Sequence, residues 1–342
     1  MADDLVQHRA AKVIPITDAD QFFTSLKEKV AVQLDSQVSN PRTVGLLVAT
    51  AKRYLGHAEN RIQLHDLITD EHRRLTEALR DPDFSFQGGR ITPEDFRHRV
   101  ARYEALTEPL ARIFGIAGRW GDHASEKLAA NVFADIAYPN PAGGLTIWID
   151  LHRYPAVLLL YAYGLGALSA GNYKRVLNWV TQPIRTDSGR APAVDRLMLG
   201  AWDGGEDQNW RMLTGFERNR TPLSDRLHDI FLLWANDYAL AGDQRTLLFE
   251  TFEVLGSLAF LTAKVSTADL RAATASADPG FMFSPMGRAA WDSQARDRIL
   301  SSLGEPLMQA ELLGAGFSQG DQEHLQLALR NIRKLMARIG WR

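Results

Sequence analysis

The stretch that most constrains this chain runs from Ile149 to Pro183, IDLHRYPAVLLLYAYGLGALSAGNYKRVLNWVTQP, and is its most apolar part. Twenty uncharged residues separate Arg153 from Lys174, which is long enough to cross a bilayer. The strongly apolar part covers only 156–163, however, because glycine, serine and asparagine crowd the second half. That part is too short to span a membrane, so the pattern predicts a buried helix.

A tight turn is predicted directly after this helix, at Ala170-Gly171-Asn172. Glycine is suited to end one helix and asparagine to cap the next. Apolar residues then recur at helical spacing and predict a second helix that packs back on the first: Tyr173, Val176, Leu177 and Val180. Because the first helix is apolar nearly all round, other helices must enclose it.

Similar turns at Gly171, Gly242 and Gly316 indicate that helical hairpins recur along the chain. We therefore predict an all-α fold, a helical-hairpin array of tetratricopeptide-like or irregular α-solenoid type, with at most one or two short strands. Residues 145–149 are a candidate for a short strand or an extended segment.

Three regions are predicted. Residues 1–38 form a leader with a short β-branched run and one helix, which looks like the tail of a preceding α/β effector domain; a helical leader is the alternative. Residues 39–138 form an N-terminal helical subdomain. Residues 139–342 form the helical-hairpin core, with a loop-rich insertion at 184–222.

Composition excludes several classes of protein. The 39 basic and 41 acidic residues nearly balance, and no tract forms a polycationic nucleic-acid arm or an acidic tail. The chain has no cysteine, which excludes disulfides, thiolate metal sites and cysteine nucleophiles. The N-terminus has no apolar signal segment, so we expect a cytoplasmic protein.

Two glycine motifs overlap near the C-terminus. The run Gly314-Ala315-Gly316-Phe317-Ser318 looks like the nucleotide loop of sirtuins, but that loop needs a preceding strand and a long α/β domain after it. The pattern GxSxG at 316–320 looks like a nucleophile elbow, which also needs a strand-to-helix turn. The preceding residues read as helix and His324 is the only later histidine. We therefore predict a helix-terminating turn.

Other candidate chemistry is weaker. His65 and His72 are seven residues apart, whereas two histidines that chelate one zinc ion on a helix lie four apart, so a solvated polar face is expected. The Arg-to-His spacing of HEPN ribonucleases does not occur, and SxxK and Walker patterns are missing. Glu250 and Glu253 lie at helix-face spacing and are expected on the wet side of their helix. No catalytic residue, cofactor or metal site is predicted.

The loops at 184–222 are the expected binding surface, because loops on a rigid scaffold often carry function. Two tryptophans there are expected to serve as contact anchors, while most other tryptophans belong to the core. Phenylalanines in the loop 81–90 look exposed. The candidate partner-binding residues are Trp202, Trp210, Arg185, Arg190, Phe84 and Phe86.

Five phrases together carry a resemblance: VIPITDADQFFTSLKEKV, DLHRYPAVLLLYAYGLGALSAGNY, RTPLSDRL, FETFEVLGSLAFL and PMGRAAW. The pattern resembles the helical C-terminal region of bacterial sirtuin-like and related antiphage-defence proteins, in which a variable N-terminal effector precedes a helical segment. The resemblance covers most of the chain. It implies a role beside an NAD-handling domain, and no catalytic residue of that domain maps onto this sequence.

Three functional hypotheses follow. The preferred one is a non-catalytic helical module that binds a protein partner or self-associates, as a sensor or assembly part of an antiphage NAD-depletion system. The second is an enzyme, an NAD hydrolase or other hydrolase, with its site in the 184–222 loops and Asp187, Arg190, Asp203 or Asp207 as its groups. The third, a nucleic-acid binder, is disfavoured by the near-neutral charge.

Overall fold

A computed structural model describes residues 41–87, 91–138, 143–239, 242–275 and 282–340. The strand and helix expected in the leader lie outside these residues. The chain divides into two compact units, Met1–Thr43 and Val44–Arg342. From Val44 onward, every described element belongs to the second unit.

The described part is all-α apart from one two-stranded sheet, as the sequence predicts. The first α-helices are α1 (Pro41–Leu55), α2 (Arg61–Ala78), α3 (Pro93–Trp120), α4 (His123–Ile136), α5 (Thr146–Leu151), α6 (Tyr154–Ser169) and α7 (Tyr173–Val180). Strands β1 (Pro183–Thr186) and β2 (Gly189–Pro192) follow. The remaining α-helices are α8 (Val194–Leu197), α9 (Asp207–Trp210), α10 (Pro222–Trp234), α11 (Asp243–Lys264), α12 (Thr267–Ala275), α13 (Ser293–Gly304), α14 (Pro306–Ala315) and α15 (Gln322–Gly340).

Helix α6 is the buried centre of the fold. All its residues from Tyr154 to Leu168 are buried, and α3, α4, α7 and α11 pack around it. The apolar composition of α6, which provides no polar face for solvent, therefore correctly predicted that other helices enclose it. The most extensive helix contact joins α3 to α6, so it crosses the boundary predicted between 39–138 and 139–342.

Glycines let the backbones of α3 and α6 touch. A Cβ on Gly166 would lie 2.0 Å from the carbonyl oxygen of Gly115, and one on Gly118 would lie 2.2 Å from the carbonyl oxygen of Tyr163. No side chain fits at such distances, because the obstacle is backbone and cannot rotate away. The close approach of α3 and α6 therefore depends on glycines on both helices.

The hairpin of α6 and α7 has the expected turn. Gly171 has a φ of 69°, and the Asn172 side chain accepts a hydrogen bond from the Arg175 backbone N–H at 3.0 Å. The Trp179 indole N–H donates to the carbonyl of Leu160 at 3.1 Å and ties α7 to α6. The predicted cap and packing are confirmed.

The prediction that 145–149 forms a short strand or an extended segment is wrong, because residues 146–149 belong to helix α5. Trp148 and Leu151, three residues apart, are buried on one face of α5, and Trp148 stacks on Phe96 of α3 at a ring distance of 6.5 Å. Packing overrides the β-branched local sequence here. The sheet forms instead at 183–192, where a two-residue loop joins β1 to β2 in antiparallel register.

Among the described helices, α11 alone is long and apolar enough by composition to cross a membrane. Its mean hydropathy is 1.4, and 61% of the apolar window is buried inside the fold. In the structure it packs against α6, α10 and α15, as a core helix does.

Candidate functional site

A cavity of about 570 Å³ opens on the side of the fold that carries the loops 184–222. Five separate parts of the chain line it: helix α5, the turns at 199–207, the start of α10 at 220–224, the segment 283–291, and Leu335 of α15. Its volume falls within the range of sites that hold small ligands or a side chain of a partner.

The floor of the cavity is built around Trp202. Its indole stacks parallel on Tyr154 of α6 at a ring distance of 6.1 Å, and its edge lies against Gly204, where a Cβ would lie 2.4 Å from the ring. Behind it, the indole N–H of Trp210 donates to the carbonyl of Gly204 at 2.8 Å. The glycine-rich sequence between the tryptophans is therefore needed for the chain to wrap closely around both rings.

The facing wall is the segment 282–291, which α11 and α15 hold in place. The Asn331 amide accepts from the Met282 backbone N–H at 2.8 Å and donates to the Met282 carbonyl at 3.0 Å. The Ser257 hydroxyl donates to the carbonyl of Pro285. Phe283 remains 54% exposed at the rim, while neighbouring Ser284 is 1% exposed.

Three polar atoms of lining residues have no hydrogen-bond partner in the described structure: the indole N–H groups of Trp202 and Trp291 and the hydroxyl of Ser284. Leaving such a group unpaired costs about 1–3 kcal/mol, so unpaired groups in a native fold are uncommon. All three atoms are enclosed, and the residues that hold them line the same cavity.

The charges around the cavity are mostly negative. Four carboxylates line it, those of Asp150, Asp203, Glu206 and Asp207, against the single guanidinium of Arg220. Burial raises the pKa of Asp150, and the charges of Asp203 and Glu206 raise it further. Burial likewise raises the pKa of Asp207. Carboxylates therefore crowd one another at this rim.

Arg220 does not neutralise that rim. Its guanidinium lies over the ring of Trp291, 4.2 Å from the centroid, and it forms no ion pair within 4.0 Å with any carboxylate of the described residues. The geometry is that of a cation–π contact. One aromatic face of the cavity is thus already covered by a cation of the chain itself.

A buried acid lies one hydrogen bond behind the cavity. The hydroxyl oxygen of Ser224, on its wall, lies 2.9 Å from each carboxyl oxygen of Glu253, and the Tyr161 hydroxyl donates to one of these oxygens at 3.1 Å. Glu253 is 1% exposed, and burial raises its pKa to about 8. At neutral pH this side chain therefore carries a proton.

The prediction that Glu250 and Glu253 face water is wrong. Both are 1% exposed, and the guanidinium of Arg288 pairs with Glu250 at an N–O distance of 3.1 Å. Helix α11 is packed on several sides, so it has no wet face at these positions. Their immediate neighbours, Phe249, Phe252 and Val254, were the signal for burial.

The predicted aromatic anchors are buried rather than exposed. Trp202 is 1% and Trp210 0% exposed, so only Trp202 reaches the cavity, as part of its floor. Phe84 is 2% exposed and packs on Tyr103, so the expectation that it is exposed is wrong, and Phe86 is partly buried. A phenylalanine in a polar loop was free to fold inward, because a loop has no periodic face that sets its direction.

The predicted arginines lie on the sheet, outside the lining of the cavity. Arg185 and Arg190 occupy directly opposite positions on β1 and β2, and both are exposed. The Arg185 guanidinium lies 5.0 Å from the ring centroid of Tyr138. Asp187 is exposed in the loop between the strands, whereas Asp203 and Asp207 line the cavity. The structure thus brings together only part of the predicted set.

The glycine motif near the C-terminus is a helix-ending turn, as predicted. Gly316 ends α14 in the left-handed conformation with a φ of 100°. Ser318 and Gln319 also have positive φ, at 54° and 55°. The Ser318 hydroxyl lies 2.9 Å from Nδ1 of His324, whose Nε2 lies 2.9 Å from the carbonyl of Val265.

This serine–histidine pair is enclosed by the fold. Ser318 is 2% and His324 6% exposed, and neither lines the cavity described above. The pair therefore fixes the turn between α14 and α15 and joins it to the end of α11.

The histidines of α2 serve as surface and interhelical groups. His65 is exposed, and His72 lies 2.9 Å from a carboxyl oxygen of Asp135 on α4. Within the described ranges, no three side chains of His, Asp or Glu are placed to hold a metal ion.

Several residues of the cavity were missed by the sequence reasoning. Asp150 lies more than a hundred residues from Ser284 and Trp291, so no local spacing joins it to them. The phrases RTPLSDRL and PMGRAAW, noted only for a resemblance, contain Arg220, Ser224 and Trp291.

The fold and site together define an all-α protein with an acid-rimmed, aromatic-floored cavity. Comparison with protein-family models, curated proteins and solved structures found no match to this chain.

Proposed function

We propose that this chain is a non-catalytic helical binding module, and that the cavity between 199–207 and 283–291 is where it recognises a protein partner or a second copy of itself. The observation that carries the proposal is a cavity of about 570 Å³ whose lining combines four carboxylates with three residues that hold unpaired polar atoms, Trp202, Ser284 and Trp291. A rigid helical core with recognition on loops is the usual arrangement for such a module.

The wider setting we propose is a sensor or assembly part of an antiphage NAD-depletion system in the cytoplasm. Support for this comes from the five phrases that resemble the helical region of sirtuin-like defence proteins, and from the cysteine-free composition. The near balance of acidic and basic residues favours a protein over a nucleic acid as partner.

Site-specific photo-crosslinking in the native host tests the binding role. Phe283, which is 54% exposed at the rim, is replaced by p-benzoylphenylalanine; Leu307, 76% exposed on α14 and outside the lining of the cavity, is the matched control. We expect one reproducible adduct, to a defined protein or to a second copy, at position 283 only.

A blocking variant locates the adduct. Gly200 lines the cavity, and a Cβ there would have its nearest neighbour at 3.8 Å, so Gly200→Trp adds bulk at the opening. Gly314→Trp, at an exposed helix position with open space, is the control. The proposal fails if position 283 gives no adduct, if the two crosslinking positions give the same adducts, or if Gly200→Trp leaves the yield unchanged.

One observation favours the alternative, an enzyme such as an NAD hydrolase or other hydrolase. Ser224 on the cavity wall is hydrogen-bonded to Glu253, a carboxyl whose pKa of about 8 suits proton transfer near neutral pH. Incubation of the purified chain with NAD distinguishes the two. The binding role predicts that NAD stays intact; turnover that Ser224→Ala abolishes while the far-ultraviolet spectrum is unchanged would establish the enzyme.

A further inference from the structure

We infer that the cavity receives an alkylammonium group, delivered by a lysine side chain of a protein partner. This inference rests on the proposed binding function and adds the chemistry of the bound group. It starts from the charge of the rim, where four carboxylates outnumber one guanidinium, that of Arg220 on the ring of Trp291. Of the four, Asp207 pairs with Arg211 at 3.8 Å.

The carboxylates share a region of the rim rather than being scattered. Asp203 and Glu206 lie close enough to Asp150 for their charges to raise its pKa. Asp203 and Glu206 are exposed and form no ion pair within 4.0 Å with a basic side chain of the described residues. Like charges so placed repel one another, and a bound cation relieves that repulsion.

The interior of the cavity suits an aliphatic stem. Below the charged rim its lining includes Leu199, Leu223, Ala290 and Leu335, all buried, together with the ring of Trp202. A lysine has four methylene groups that favour such a surface and a charged end that favours the rim.

The unpaired hydroxyl of Ser284 is an independent pointer to a ligand. It is 1% exposed, lines the cavity and has no partner among the described residues. A hydroxyl oxygen accepts a hydrogen bond from an ammonium group, and the indole N–H groups of Trp202 and Trp291 are donors that suit a backbone carbonyl of a peptide. A peptide lysine offers both kinds of group, whereas a bare metal ion offers neither.

Binding of blocked pentapeptides to the full chain, measured by calorimetry, tests the inference. The probes are identical except for the central residue, which is lysine, its uncharged isostere norleucine, or glutamate. We expect the lysine peptide to bind at least about tenfold more tightly than the norleucine peptide. Rising ionic strength should weaken only the lysine complex.

The matched variants remove two charges each. Asp203→Asn with Glu206→Gln changes two exposed rim carboxylates, so folding is expected to be unaffected. Glu77→Gln with Glu305→Gln removes two exposed carboxylates outside the lining of the cavity. The rim pair should weaken the lysine peptide at least about tenfold and the control pair should not.

Several results would overturn the inference. The lysine and norleucine peptides could bind equally well, or the rim variant could bind the lysine peptide as tightly as the wild type does. Mg²⁺ or Ca²⁺ alone could displace the lysine peptide fully. Diaminopentane could bind as tightly as the peptide, which would assign the site to a small amine. If only the glutamate peptide binds and Gly200→Trp blocks that binding, the lysine inference is wrong, whereas the proposed binding module still holds. Failure of every peptide together with no adduct at position 283 would remove both.

Discussion

Replacing Glu253 by glutamine should make the protein more stable at neutral pH, although it alters a fully buried polar residue. Glutamine has nearly the same shape as a protonated glutamate and keeps an oxygen that accepts from Tyr161. The difference is that glutamine has no proton to lose. The variant therefore isolates the free-energy consequence of holding an acid inside the core.

The sign follows from the raised pKa of Glu253, about 8 in the folded chain against an ordinary 4.5. Between these values the folded protein keeps the proton while the unfolded chain releases it. The folded state then binds more protons, so the free energy of unfolding falls as pH rises through this window. Below the ordinary value the carboxyl is protonated in both states and the effect disappears.

The size follows from the same two values. Between about pH 5 and about pH 7 the wild type should lose about 2–3 kcal/mol of unfolding free energy relative to Glu253→Gln, because each pH unit contributes up to about 1.36 kcal/mol. Above about pH 8 the difference should level off near 4–5 kcal/mol, because both states then release the proton.

Urea unfolding followed by tryptophan fluorescence at a series of pH values measures this difference. Glu77→Gln, at an exposed position on α2, is the control and should give a difference that does not change with pH. A stability gap between Glu253→Gln and wild type that stays constant or narrows as pH rises would refute the reasoning, because it would mean that the folded protein holds the carboxyl ionised.

Three further substitutions test the packing and the cavity wall. Gly166→Ala should cost about 3 kcal/mol, because its Cβ meets a backbone carbonyl of α3 at 2.0 Å; Gly314→Ala, with open space, should be neutral or gain up to about 1 kcal/mol in the same urea titration. Asn331→Ala should cost about 2 kcal/mol and expose the segment 282–287 to limited proteolysis, because two backbone groups lose their partner; unchanged cleavage would contradict this. Arg226→Ala should cost about 3 kcal/mol by leaving the buried Glu104 carboxylate without its cation, and adding Glu104→Gln should recover part of the loss.

The sequence predicted the centre of the fold well because the physical signal there is local. Helix α6 is apolar on all its faces, so it is stable in water only when other helices enclose it. Gly171 and Asn172 favour a turn that ends this helix and caps the next. Both conclusions needed only a short window of sequence.

The cavity was not predictable in the same way. Its walls come from segments around Asp150, Trp202 and Ser284, which only the tertiary packing of α5, α10, α11 and α15 brings together. The choice of the 184–222 loops as the binding region located one wall and three of the four carboxylates. The buried acid Glu253 was missed because helix-face spacing does not tell whether a helix has a wet face.

The direct backbone contact between α3 and α6 also offers a way to find distant relatives of this chain. Overall likeness between distant relatives fades first on surfaces and in loops, whereas a position where two main chains touch admits only a hydrogen as side chain. A Cβ at position 118 or 166 would meet a backbone carbonyl of the other helix, and one at position 115 would meet the ring of Tyr238, so we expect relatives of this fold to keep glycine at all three positions. A genome search built on those three glycines would recognise relatives that a whole-length comparison passes over.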